Sequence, residues 1–117
     1  MMAMVANALV ALVAALHLYF LVLEMFFWTK PLGRKVFKLT PEFAEASKAL
    51  AANQGLYNGF LVAGLVWGLA IPDSSVKLFF LGCVVVAGVF GAATVGKKIF
   101  FVQALPAALA MAAVRLA

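Results

Sequence analysis

The side chains able to do chemistry in this chain fall in two short stretches and one isolated position. His17 and Glu24 stand seven residues apart in an apolar run. On a helix they share a face, about 10 Å apart along the axis. An imidazole and a carboxylate are the usual pair for moving a proton, so His17 and Glu24 are the candidate acid/base groups. The stretch AANQGLYNGF, residues 51–60, adds Asn53, Gln54, Tyr57 and Asn58. Asn53 and Tyr57 are four apart, as are Gln54 and Asn58. At about 100° per residue the four cover a helical face about 140° wide. With Gln103 they form an array of neutral donors and acceptors, suited to orienting a hydroxyl or carbonyl group. The set holds no metal: one His and one Glu are too few for zinc. Haem lacks a second strong axial ligand. No cofactor is expected. Cys83 is the single cysteine, which rules out an intrachain disulfide, and it reads as a small apolar residue within an apolar run.

These polar groups sit in an apolar sequence. The chain has 117 residues, 68% hydrophobic and 11% charged, with mean hydropathy +1.15. A soluble domain is closer to half apolar and a quarter charged. A chain this short cannot bury so much apolar surface in its own core, so lipid is expected as part of its solvent. The net charge of +5 is not spread as a nucleic-acid footprint, and no nucleic-acid partner is expected. Lys30, Arg34, Lys35, Lys38 and Lys48 lie together in one polar interval between apolar runs, as in a cytoplasmic loop of a membrane protein. The N-terminal MMAMVANALVALVAAL has no basic flank and its apolar run continues to Trp28, so it reads as a first membrane helix and not as a signal peptide.

Four apolar runs position the polar groups: about 4–28, 49–71, 76–95 and 99–116. A span needs roughly 20 residues, and the fourth run is short. Pro31-Leu-Gly33 breaks the first helix. Thr40-Pro41-Glu42 starts the next, with Thr as N-cap, Pro at the first position and an acid in the first turn. That helix can run from Pro41 straight into the second span. Val36, Phe37, Leu39 and Phe43 among the lysines suggest an ordered interfacial segment. Pro72-Asp73-Ser74-Ser75 is a turn, and Gly96-Lys97-Lys98 a tight connection. Short connections force antiparallel neighbours. The expected fold is all-α, a single integral-membrane domain over residues 1–117, built as an antiparallel four-transmembrane-helix bundle with an interfacial segment between its first two spans. The loops after spans one and three carry Lys30, Arg34, Lys35, Lys38, Lys48, Lys97 and Lys98; the other side carries Lys77 and Arg115. This excess places loops one and three in the cytoplasm and both termini outside.

Small residues recur at helix-packing intervals: Gly55 and Gly59, Gly64 and Gly68, Ala87 and Gly91, Ala92 and Gly96, and Ala104, Ala108 and Ala112. They allow close backbone approach, within the bundle or in a homo-oligomer. On this topology Glu24, the four polar residues of 53–58, Thr94 and Gln103 all fall toward the cytoplasmic side, with the opposite half apolar. Amides facing hydrocarbon would cost several kcal/mol each, so they are expected to point inward. Two explanations stand. Polar glue between helices is one, at about 0.6–2 kcal/mol per hydrogen bond. A pocket is the other, and so many polar groups at one level exceed what glue needs. Arg34 suits a lipid phosphate, by bidentate contact, or is plain positive-inside charge. Trp28 reads as an interfacial anchor.

The segment HLYFLVLEMFFWTKPLGRKVFKLTPEFAEASKALAANQGLYNGFLVAGLVWG, with the later GAATVG and VQALPA, closely resembles a family of small bacterial membrane proteins, the domain-of-unknown-function family number 1304. ANQGLYNG is its most specific part. The resemblance covers nearly the whole chain and implies a four-span protein of the bacterial inner membrane. It implies His17, Glu24, Trp28, Pro31, Gly33, Arg34, Asn53, Gln54, Tyr57, Asn58, Gln103 and Pro106 as characteristic positions, and supplies no mechanism. Three functions are compatible with the residues. The first is binding or acid/base transformation, such as isomerisation, of a small amphipathic molecule or lipid. The second is a small proton-coupled transporter, ranked lower because the half opposite the polar cluster is apolar. The third is a structural or assembly subunit held by polar glue. The lipid bilayer is a partner in all three.

Overall fold

A computed structural model describes all residues 1–117. The chain is all-α, without strands. Helix α1 runs Met2–Phe26, α2 Pro31–Phe37, α3 Pro41–Ala70 and α4 Ser74–Thr94; a π-helical turn, Phe100–Ala104, leads into α5, Leu105–Leu116.

The element boundaries follow from local chemistry. Proline disfavours helical backbone in the residue before it, and Lys30 is accordingly extended, at φ −91° and ψ 162°. The first helix therefore closes at Phe26, two residues short of the expected end, and Pro31 opens α2 from its N1 position. Helix α2 stops at Lys38, which takes a left-handed φ of 55°, and the Leu39 N–H closes the end on the Arg34 carbonyl at 2.8 Å. The expected interfacial segment is thus an ordered short helix. Thr40 caps α3 by accepting from the Phe43 N–H at 3.1 Å. Asp73 caps α4 by accepting from Ser75 and Val76 at 2.8 and 3.2 Å.

Two helices, Met2–Phe26 and Ser74–Thr94, are long and apolar enough to cross a membrane. The other two expected spans fall short for different reasons. Helix α3 has 30 residues and is about 45 Å long, more than a bilayer core requires, but Asn53, Gln54 and Asn58 dilute its apolar part. The last helix is apolar but short, Phe100–Leu116. Its π turn explains how Pro106 is accommodated. Proline lacks an N–H and its ring collides with the carbonyl four residues back in a regular helix; the widened turn, with Leu105 N–H bonded to the Phe100 carbonyl five back, relieves that collision.

The residues gather into two compact units. One comprises Leu16–Val62, the end of α1, α2 and most of α3. Its buried positions include His17, Leu23, Gly33, Ala44, Ala51, Gly55 and Asn58. The other comprises Met1–Ala15 and Ala63–Ala117, cored by Val10, Leu65, Leu81, Val84, Ala104, Ala107 and Ala110. Here α4 closes on the π turn at Gly88, where a Cβ would lie 2.6 Å from the Ala104 nitrogen. Another face of α4 is open, with Phe79, Val86 and Phe90 each about two-thirds exposed.

Gly33 sets the fit of α2. A Cβ there would run into the Phe27 carbonyl, a backbone atom that cannot swing aside. Gly33→Ala is expected to lower stability by about 1–3 kcal/mol, the range for overpacking. Gly82→Ala, where a Cβ meets nothing within 4 Å, should leave stability unchanged or raise it by up to about 1 kcal/mol through helix propensity. Thermal unfolding of the two purified variants beside the wild type checks both.

Candidate functional site: a carboxylate beside an open cleft

Within the Leu16–Val62 unit, Glu24 near the end of α1 meets Asn58 on α3. The Asn58 amide donates to Glu24 Oε1 at 2.6 Å, and Asn58 is buried. The helices come this close because of Gly55. A Cβ at that position would stand 3.3 Å from both Glu24 Cβ and the Leu21 carbonyl oxygen. Glycine one turn before Asn58 thus brings the amide within reach of the acid. A carboxylate accepts only, so an amide N–H is a matched partner and the pair satisfies a group that would be costly alone.

Trp28 is fixed beside this pair from two sides. Its indole N–H donates to Ser47 Oγ at 3.0 Å, and Ser47 in turn donates to the Phe43 carbonyl at 2.6 Å. Phe37 of α2 lies against the indole with ring centroids 4.9 Å apart. Gly33 lets α2 settle on the backbone of Phe27 and Trp28. An open cleft of about 300 Å³ runs alongside, lined by Glu24, Phe26, Trp28, Thr29, Lys48 and Ala52 among others. The Lys48 ammonium is exposed and pairs with Glu45, three residues before it on α3, at 2.5 Å. Arg34 has a buried Nε with no hydrogen-bond partner.

The other sequence candidates are distributed differently. His17 is fully buried, edge-on to Phe20 at 5.6 Å between centroids, and is not part of the cleft lining. Asn53 and Gln54 are exposed, and Tyr57 is half exposed with its ring near Phe60. The expectation that all four amide and phenol groups turn inward therefore fits Asn58 alone in this chain. The physical reason is the width of the face. Four residues spread over about 140° cannot all meet one neighbouring helix. Gln103 lies on the π turn, in the other unit.

Sequence reasoning missed two polar contacts. Trp28 and Ser47 are one; a serine one turn before the apolar part of α3 was the available signal. The second lies in the Met1–Ala15 and Ala63–Ala117 unit. There Lys77, counted as a loop charge, is buried and donates from Nζ to Asn7 Oδ1 at 2.8 Å. Gly68 makes room for its stem, since a Cβ there would be 2.9 Å from Lys77 Cγ. That stretch was expected to be apolar.

Residues 11–115 match the profile of the family described as "Protein of unknown function (DUF1304)". The chain is also similar to "Uncharacterized protein YpaA" of Lactococcus lactis subsp. lactis, 30% identical over 104 residues that cover 86% of this chain and 87% of that protein. No solved structure matches.

Asn58→Leu removes the one donor to a part-buried carboxylate and is expected to destabilise the protein by about 1–3 kcal/mol, the cost of an orphaned polar group. Adding Glu24→Gln to Asn58→Leu should recover part of that loss, because a neutral amide is cheaper to leave unpaired. A double-mutant cycle by denaturant unfolding measures the coupling.

Proposed function

The chain belongs to the DUF1304 family, and we propose that it is a multi-pass protein of the bacterial cytoplasmic membrane that binds a small amphipathic molecule at the cleft beside Glu24. One observation carries this reading: a carboxylate near the end of an apolar helix, held by a neutral amide, opens onto a cleft walled by a braced tryptophan. A group placed only to glue two helices has no need of that opening.

Four crossings, with the segment around α2 at the cytoplasmic face, accommodate the rest of the chain. The excess of Lys and Arg in the first and third loops supports that orientation. The apolar outward face of α4 suits lipid. The length of α3 leaves its Pro41 end, with Glu42, Glu45 and Lys48, outside hydrocarbon, and Asn53 and Gln54 then sit near the interface where water can reach them. Arg34 is read as the contact for an anionic headgroup, which suits the bidentate geometry of a guanidinium.

Within this reading His17 supports helix packing and Glu24 faces the ligand. Acid/base transformation needs no other group than Glu24, Asn58 and a ligand proton within reach, and binding without reaction needs fewer still. The buried Asn7–Lys77 contact favours a second reading, proton-coupled transport, because it puts polar groups in the stretch that otherwise argues against a route. Flux that depends on the proton gradient would single it out.

Native mass spectrometry of the gently extracted protein, beside Glu24→Gln and Asn58→Leu, tests the binding reading. A discrete small molecule is expected to accompany the wild type and to be lost from both variants. Bulk phospholipid retained equally by all three would overturn it and return Glu24 and Asn58 to the role of helix glue.

A further inference from the structure

We propose that the cleft beside Glu24 selects an organic cation, the ammonium head of an amphipathic amine; this rests on the binding reading above and names its ligand class. The argument is one of charge and shape. Glu24 is the acid of the cleft, and its partner is the neutral Asn58 amide, which satisfies one carboxylate oxygen without offsetting its charge. Lys48 also lines the cleft, but no ion pair joins it to Glu24; its Nζ pairs with Glu45 instead. A cationic head entering the cleft therefore meets an acid that no basic side chain of the protein pairs.

Trp28 points to the same class. Its one polar atom is already committed to Ser47, so what it offers a ligand is its π system, and the face of an indole attracts cations more than that of any other side chain. The ring cannot drift, being fixed by Ser47 and packed on Phe37. Phe26 and Ala52 beside it supply apolar contact for the chain that follows the head. A carboxylate next to a fixed aromatic face is a receptor for ammonium and a poor one for phosphate or carboxylate.

The test is calorimetric titration of the full-length protein in a neutral maltoside detergent with three probes of equal chain length: decyltrimethylammonium, decyl sulfate and decyl glucoside. The ammonium probe is expected to bind tightest. Glu24→Gln should weaken it by about tenfold or more, the scale of a lost charge-assisted contact. Trp28→Leu should weaken it about threefold and Trp28→Phe less, on the scale of cation–π attraction. Lys48→Ala, which removes a positive charge from the cleft lining, should strengthen ammonium binding, a readout that keeps the test decisive if Glu24→Gln does not fold. Equal binding of all three probes, unchanged in the Glu24 and Trp28 variants, overturns the inference while the cleft remains an amphiphile site. Preference for decyl sulfate, lost in Lys48→Ala, overturns it in favour of an anion site. Binding of none overturns both this inference and the reading on which it rests.

Discussion

A carboxylate on an apolar helix must find a donor, and in this chain that requirement fixes how α1 meets α3 within the Leu16–Val62 unit. Glu24 reaches its donor only if the two backbones approach within side-chain length of an asparagine. Gly55 is the residue that permits it, with Glu24 Cβ and the Leu21 carbonyl each 3.3 Å from where a Cβ would sit. Once Asn58 and Glu24 are joined at 2.6 Å, the end of α1 is set, and so is the position of Trp28 four residues on. The indole then has Ser47 on one side and Phe37 on the other, and α2 must lie where Phe37 can reach it. Gly33 is the corresponding concession in α2, without which the short helix would collide with the Phe27 carbonyl.

The same rule, with the charge reversed, operates in the Met1–Ala15 and Ala63–Ala117 unit. Lys77 is buried, accepted by Asn7, and seated over a glycine. In each case an ionisable group is answered by a neutral amide on another helix, and a glycine opens the space. An amide satisfies a charge by hydrogen bonding without neutralising it. An acid–base pair would have been closed to any further charge; an acid–amide pair is not. On the proposed binding reading this difference separates a site from a structural ion pair, and asparagine at position 58 then matters for more than its polarity alone.

Much of the scaffold is legible in the sequence because it rests on local chemistry. Thr40-Pro41-Glu42 announces the start of α3, Pro72-Asp73 the start of α4, and Lys30-Pro31 the break after α1; each is a backbone preference that acts within three or four residues. Glu24 and Asn58 stand out by type. Their pairing does not, since it depends on which of several polar residues on a wide face meets α1, and that is settled by where Gly55 lies relative to them. The sequence reading treats Asn53, Gln54, Tyr57 and Asn58 as one array; packing separates Asn58 from the rest. Lys77 escapes for the complementary reason. A lysine four residues into a helix reads as a surface charge unless its neighbour across the helix interface is known to be a glycine.

The exposed amides follow from the length of α3. On the proposed membrane reading, a helix of 30 residues that begins in a charged stretch, Glu42, Glu45 and Lys48, cannot place all its turns in hydrocarbon. Asn53 and Gln54, both exposed, come three turns or so after its start, where on that reading water and headgroups would satisfy an amide as well as a protein partner does. Asn58 is one further turn along, where solvent no longer serves, and it is there that the protein supplies a partner of its own. On that reading the polar residues of α3 form a gradient of solvation, and Glu24, bonded to Asn58, lies where that gradient runs out. On the proposed binding reading, a ligand that carries its own charge into the cleft would meet the acid where water competes least for it.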